Sequence, residues 1–337
     1  MIKKALLYGL LLLTGVSTAQ IGGKYTYQFL NLVASPRQAA LGGRVLTHYD
    51  YDVDQPLINP ATLNDEMRNR LALSYVNYLG DVNYGSAAYA WHMKAGVFHG
   101  GVTYINYGTF DGRNEFGEET GDFTGSEVAL SAGYAYNIPE SGFYVGANVK
   151  LISSALEQYH SFGGALDIGG VYLDTINRLS VALVIRNAGM QFSTYAGERE
   201  KLPLEIAAGI SQELKNVPIR WHLTFENLQN WNLAFANPVR TETTLDGEET
   251  PEKVTVIKEF FRHTVIGAEL FPDRGFSIRL GYNFRRGEEL RVLEQRNFSG
   301  LSAGFGVRIN KVRFNYSFAR YSTAANTSLF GLMINFR

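Results

Sequence analysis

From about residue 70 onward, apolar and polar residues alternate along the chain. Ile219, Trp221, Leu223 and Phe225 interleave with Arg220, His222, Thr224 and Glu226. Phe276, Ile278, Leu280, Tyr282 and Phe284 interleave with Ser277, Arg279, Gly281, Asn283 and Arg285. Val312, Phe314, Tyr316 and Phe318 interleave with Arg313, Asn315, Ser317 and Ala319. A period of two predicts extended strands with one apolar and one polar face. About fourteen segments carry it: 70–79, 84–93, 96–107, 125–137, 142–154, 159–173, 178–188, 202–213, 218–228, 263–271, 275–285, 298–309, 311–321 and 327–336. No helical period stands out past residue 70. Many segments reach ten residues or more. That exceeds the ~5–6 usual in soluble sheets and matches the ~9–11 a tilted strand needs to cross a bilayer.

The connections alternate as well. Long ones fall at 108–124, 189–201, 229–262, 286–297 and 322–326, with the 155–158 link a modest member. Short ones are "NIPES", "DTIN", "LKNV", "PDRG" and the pair Asn310-Lys311. Short periplasmic turns, longer outer loops and an even strand number are the plan of outer-membrane barrels. The first hairpin, "GDVN", is short on the long side and departs from that rhythm. Aromatic residues near strand ends (Tyr75, Tyr78, Tyr104, Tyr107, Tyr134, Tyr136, Tyr316, Phe318) suit either interfacial belts or plain strand propensity. Small residues on the polar face, such as Gly133, Gly304 and Gly306, suit a filled or narrow lumen.

The chain stops inside its last strand, "TSLFGLMINFR". In a barrel that strand must pair with the first, because an open edge cannot sit in lipid. Gly331, Ile334 and Phe336 resemble the C-terminal insertion signal of bacterial outer-membrane proteins, although Arg337 follows the Phe and Leu329 replaces a commoner polar residue.

Composition adds exclusions. There is no Cys among the 337 residues, so disulfides, thiolate metal sites, a cysteine nucleophile and a lipoprotein anchor are out. A formal net charge of -1 offers no basic surplus for nucleic acid. The N-terminus has Lys3 and Lys4, an apolar run from Ala5 to Leu13, and small residues at Ser17, Thr18 and Ala19. This pattern predicts a signal peptide over 1–19, cleaved after Ala19; the run is too short for a spanning helix. The expected organisation is therefore a signal peptide at 1–19, an N-terminal segment at 20–69 and an all-β, antiparallel transmembrane barrel at 70–337. The expected location is the bacterial outer membrane.

The segment before the barrel contains "SPRQAALGG" and, after an acidic stretch, "NPATL". Its Arg37, Ala39, Ala40, Leu41, Gly42 and Gly43, followed by Asn59, Pro60 and Ala61, resemble the N-terminal hatch of FadL-like outer-membrane barrels. The resemblance implies about fourteen strands with a plug threaded through the lumen. Within that group, overall length, the short mature N-terminus and the missing lipobox make the chain most similar to the PorQ family of type IX secretion. That likeness implies an attachment complex with PorU, PorV and a PorZ-like surface protein, which the barrel anchors while cargo is processed and linked to lipopolysaccharide. The hatch motif is shared with the FadL-like transporters of hydrophobic small molecules, so that reading stays open. In either case Pro60 fixes φ and the Asn59 side chain can bond the backbone locally, which makes Asn59-Pro60-Ala61 a structural corner.

Other chemistry is sparse. Asp50, Asp52 and Asp54 are spaced by two, but Gln55 and Ala61 stand where an EF-hand needs Gly and Glu. A solvated or lumen-facing acidic turn is expected, with a loose cation site as the alternative. The six His show no zinc spacing, and His222, beside Arg220 and Glu226, reads as lumen lining. A barrel phospholipase wants His and Ser on one strand face; the nearest pair here is His222 with Thr224. No catalytic, cofactor or metal site is expected. The longest loop, 229–262, carries Trp231, Phe235, Phe260 and Phe261 around a charged centre. It reads as a partner surface or as a loop folded over the barrel mouth. Leu30, Leu32, Val33 and Leu41 could form a greasy pocket, and Arg285 and Arg286 are placed to meet lipopolysaccharide phosphates.

Overall fold

A computed structural model describes residues 25–233, 241–243, 249–251, 255–290, 299–322 and 326–336. The expected signal peptide and its cleavage site after Ala19 lie outside the described residues, as does Phe235. Sixteen strands follow in order: β1 (Arg70–Asn77), β2 (Asn83–Met93), β3 (Gly96–Arg113), β4 (Glu119–Asn137), β5 (Phe143–Leu156), β6 (Tyr159–Asp174), β7 (Leu179–Ser193), β8 (Glu205–Glu213), β9 (Ile219–Phe225), β10 (Thr241–Thr243), β11 (Glu249–Pro251), β12 (Thr264–Leu270), β13 (Phe276–Asn283), β14 (Leu301–Ile309), β15 (Val312–Ala319) and β16 (Thr327–Asn335). β10 and β11 pair only with each other; the remaining fourteen form a closed antiparallel barrel. β1 pairs with both β2 and β16, Arg70 opposite Asn335 and Leu73 opposite Leu332. The last strand is therefore the seam partner of the first, and no edge is left open.

The alternation is inside out relative to a soluble sheet. On β13, Phe276, Ile278 and Leu280 are exposed, while Ser277 and Arg279 are fully buried. On β5, Phe143, Val145, Val149 and Leu151 face outward, and Asn148, Lys150 and Ser154 are buried. Polar groups gather inside because the lumen lets them pair with one another. The apolar face is left for a non-aqueous surround, which is what a bilayer provides. No helix among the described residues is long and apolar enough to cross a membrane.

Two expectations change. Residues 108–124 are mostly not loop: β3 and β4 continue pairing to Arg113 and Glu119, through bulges after Asn106 and after Gly112. Phe110 and Phe123 stack there at 5.3 Å. A hairpin can go on pairing after its apolar period stops, because the backbone bonds need no buried face. Residues 189–201 likewise contribute to β7 as far as Ser193. Among the described residues two short helices also occur past residue 70, α2 (Val256–Arg262) and α3 (Phe284–Glu289), preceded in the hatch by α1 (Pro36–Ala40). Thr255 and Asn283 cap the later two by accepting from Lys258 N and Arg286 N. Helices of this length are too short to show a period.

Residues 25–69 run through the lumen from the long-loop end to the short-turn end. Thr26 N donates to Lys201 O beside the β7–β8 loop, and Phe336 N donates to Asn69 O where β1 begins. Tyr27, Phe29, Leu30 and Val33 pack with Tyr84, Ile105, Leu202 and Leu329. Val53, Leu63 and Met67 pack with Ala72, Ala88, Val97 and Met333. Leu46, Ile58 and Ala61 pack with Val171, Ala182 and Ala207. The core of this protein is thus the contact between plug and wall.

Candidate functional site

The hatch is held by charge in the middle of the barrel. α1 starts on Pro36 at its first position, a place where the missing N–H costs nothing. It presents Arg37, whose Nη1 and Nη2 donate to the two Asp50 oxygens at 2.9 and 2.8 Å. On its other side Arg37 Nη2 and Nε donate to Glu269 of β12 at 2.7 and 3.2 Å, and Asp52 lies 3.4 Å from Nη1. Arg220 of β9 adds a bond to Asp50 at 2.9 Å, and Arg279 of β13 one to Glu269 at 2.7 Å. Three guanidiniums thus meet three carboxylates, two of the carboxylates from the hatch and one from the wall. Burial by itself would raise the Asp50 carboxyl, but the Arg37 and Arg220 cations outweigh it and hold it well below the usual range. Asp54 has no cation: burial, then the neighbouring Asp52, push it up to about 8, with the Ser74 hydroxyl donating to it at 3.1 Å as a partial offset. Burial, then Arg37 and Arg220, push His48 down, so it stays neutral.

A second buried cluster sits nearer the long loops. Arg44 of the hatch and Arg186 of β7 both donate to Glu205, at 2.7 and 2.8 Å. Lys150 pairs with Asp167 at 2.6 Å and donates to Asn187 at 2.9 Å. Arg186 and Asn187 both turn inward because β7 bulges against β6 there, Asn187 taking φ 57°.

Between these ties, wall glycines let the hatch backbone touch the sheet. A Cβ at Gly281 would lie 2.0 Å from the Leu41 carbonyl carbon; one at Gly146 would lie 2.5 Å from that of Pro60. Gly331 is seated against the Pro36 ring in the same way. Leu41 O also accepts from His222 Nε2 at 2.9 Å. Gly42, at φ +98°, reverses the chain directly after α1 and lies against Val265 and Ile266. Asn59 Oδ1 accepts from Ala61 N at 3.1 Å, and its Nδ2 donates to Leu46 O at 2.8 Å. Ala39, Ala40, Leu41, Gly43 and Pro60 are all buried in these contacts.

The structure places the other predicted residues as follows. Gly331, Ile334 and Phe336 lie on or just past β16, Gly331 inward and Phe336 exposed. Trp231 stacks on His263 at 4.8 Å, Phe260 packs on Phe225 at 5.4 Å and Phe261 on Phe284 at 5.1 Å, each still partly exposed. Arg285 pairs with Glu289 at 2.7 Å. Arg286 is a correction. It is buried, donates to Ser299 O and Gly300 O at 3.1 and 3.2 Å, and lies 4.8 Å over Tyr321, so it braces a loop and meets no outside phosphate. The Asp50–Asp54 turn is lumen-facing but not solvated; Asp50 and Asp52 are buried against the arginines and Asp54 against Ser74. His222 bonds the hatch at Leu41 O. Leu30, Val33 and Leu41 are consumed in packing. Beside Leu30 and Leu32, the space left between hatch, Lys150 and Arg186 is about 40 Å³.

Glu269, Arg279, Glu205, Arg186, Lys150 and Asp167 were not singled out from the sequence. Their one visible signal is a charge at an inward position of an alternating strand. On the outer wall an apolar concavity of about 500 Å³, lined by Trp221, Leu223, Ile266, Ala268 and Leu280, faces the lipid side. Behind it stand Gly267 and Gly281, backed by Leu41 of the hatch. Among the described residues no group of three or more His, Asp or Glu is arranged to hold a metal ion.

No protein-family model matches the chain, and no curated protein does. Among solved structures it is similar to the KdgM porin, at 9% identity over 80% of this chain and 99% of that one, TM-score 0.32. It is similar to CdiB from Acinetobacter baumannii, at 9% identity over 79% and 59%, TM-score 0.35. It is also similar to the beta domain of the Bordetella autotransporter BrkA, at 13% identity over 80% and 99%, TM-score 0.26. With TM-scores this low the fold assignment rests on the chain's own strand pairing: a closed, fourteen-stranded barrel with an apolar exterior, the plan of outer-membrane proteins.

Proposed function

We propose that this protein is a non-enzymatic outer-membrane anchor of a type IX secretion attachment complex. In this reading it holds a PorZ-like surface protein beside PorU and PorV while cargo is processed and joined to lipopolysaccharide. The observation that carries the proposal is the occupied lumen. A hatch tied by two buried charge clusters and seated on glycines leaves about 40 Å³ beside Leu30 and Leu32 and, toward the short turns, a recess of about 520 Å³ between Thr47, His48 and Tyr49 of the hatch and a wall that includes Arg178, Glu213, Arg220 and Asp273; with those charges in its lining the recess is no apolar conduit, and the arrangement suits a rigid support. A transporter of hydrophobic molecules, the competing reading, needs an apolar lumen pocket joined to a gap in the wall. The wall concavity is apolar but is closed off by Gly267, Gly281 and Leu41. The half-exposed aromatics Trp231, Phe260 and Phe261, braced on neighbouring rings, form the surface on which the partner would sit.

The test is a tagged pull-down from native outer membrane in mild detergent, with every co-purifying chain identified. Stoichiometric recovery of a PorZ-like protein, lost in the Trp231→Ala/Phe261→Ala double variant, supports the anchor. Recovery of the barrel alone with a bound fatty acid rejects it in favour of transport.

A further inference from the structure

At the short-turn end of the lumen, cations collect around one aromatic ring. Tyr51 of the hatch has the guanidinium of Arg313 4.5 Å from its ring centre, that of Arg37 at 5.3 Å and that of Arg70 at 5.5 Å. Arg37 is neutralised by its own carboxylates. Arg313 is not. It is 4% exposed, and its Nη2 donates to Arg274 O at 3.0 Å. Its Nη1 is buried with no hydrogen-bond partner, and so is the Tyr51 hydroxyl. Among the groups acting most strongly on Arg313 are Tyr51 and three more guanidiniums, those of Arg37, Arg279 and Arg308.

Tyr51 and Arg313 both line a cavity of about 70 Å³, together with Arg70, Arg308 and Lys311; the two unpartnered atoms themselves are shielded from it. That volume is several times the ~10–15 Å³ a single water requires. No carboxylate lines it among the described residues. A buried guanidinium N–H without an acceptor leaves its desolvation uncompensated, and neighbouring cations add repulsion. Cation–π contact with Tyr51 offsets only part of this. What the cavity lacks is an anion with several acceptor oxygens, reachable from several directions at once.

We propose that this pocket binds a phosphate group. A turn of the Arg313 and Tyr51 side chains toward the cavity lets Nη1 and the hydroxyl donate to the phosphate oxygens, and Arg308 and Lys311 supply charge from the rim. Phosphate suits the site better than a planar carboxylate because the donors converge from the hatch, β14, the β14–β15 turn and β15, which a tetrahedral group can meet together. The group arrives either as free phosphate or as the headgroup of a membrane phospholipid. The inference goes beyond the anchoring role and stands without it.

The experiment uses the full chain in detergent. Sodium phosphate is titrated calorimetrically at fixed ionic strength, and retained phosphatidylglycerol is counted by native mass spectrometry after reconstitution. Variants are Arg313→Gln and, because a buried change can disturb folding, the rim pair Arg308→Gln/Lys311→Gln; unheated gel migration reports the folded barrel. Saturable phosphate binding, weakened at least tenfold by Arg313→Gln and threefold or more by the rim pair, supports the site with free phosphate as ligand. No phosphate heat, but retained phospholipid that the rim pair loses, supports it with the headgroup as ligand. Binding of neither, or binding indifferent to both variants, overturns it.

Discussion

Arg37 and Arg285 each hold a glutamate at 2.7 Å, yet the two pairs play different parts. The side chains of Arg37 and Glu269 are 2% and 0% exposed; those of Arg285 and Glu289 are 39% and 45% exposed. In water a pair at this distance contributes about 0.2–1 kcal/mol, because solvent screens it and two long side chains must be ordered. Inside the barrel the same distance becomes a constraint on position: Arg37 cannot leave without stranding Asp52 away from water and leaving Asp50 to Arg220 and Glu269 to Arg279. One pair decorates a loop, and the other fixes where the hatch sits.

Arg37→Met is the harshest test of that contrast. Removing one partner of a buried ionic cluster costs about 3–5 kcal/mol. Hatch amides should lose protection against hydrogen exchange while the barrel strands keep theirs; unchanged protection across residues 36–69 would falsify the positional role. Gly281→Val comes next. Its Cβ would meet the Leu41 carbonyl, and overpacking of this kind costs about 1–3 kcal/mol. The expected result is a barrel that still migrates as folded with a hatch newly cleaved by added protease.

Asn59→Ala removes one acceptor and one donor at a buried corner, a loss of about 1–2 kcal/mol. It should lower the denaturant midpoint for hatch release without altering the midpoint of the barrel. The pH dependence follows from Asp54 and Asp50. Asp54 is raised to about 8 in the folded protein. Between its unfolded value near 3.8 and about 8 the folded state holds the extra proton, so hatch stability falls as pH rises through that window. Asp50, held low, contributes stability that is lost only as pH falls through its depressed value. Exchange of residues 50–60, corrected for intrinsic rates, should quicken by up to about a hundredfold from pH 6 to pH 9, and Asp54→Asn should flatten that rise. A rise that persists in Asp54→Asn would assign it to another group. Arg285→Gln should change stability by less than about 0.5 kcal/mol. A larger effect would mean that the exposed pair also positions something, which would erase the contrast.

Much of the fold was legible because the barrel is written in local alternation. Phe276 to Asn283 reads as a strand from its period alone, and the count of fourteen follows from repeating that reading. What alternation could not reveal is where pairing outlives it. β3 and β4 run on through Asp111, Gly112, Gly121 and Asp122, which carry no apolar face. Short helices such as α3 were equally invisible. The hatch motif was visible as a run of small and polar residues, but its partners were not. Nothing near Arg37 in sequence names Glu269, 232 residues away. Arg286 was misread for the same reason: its acceptors are carbonyls of Ser299 and Gly300, and a sequence does not show which backbone groups lack partners.

The sequence by itself determined the number of barrel strands and the apolar exterior, because each depends on residues a few positions apart. The tertiary structure decided which inward charges meet. It paired Asp50 with Arg37 and Arg220, put Arg44 and Arg186 on Glu205, and set Arg313 against Tyr51 with one N–H unmatched. Closing the sheet brings distant strands face to face across a lumen filled by the hatch. Only that closure tells a charge that is matched from one that is waiting for a ligand.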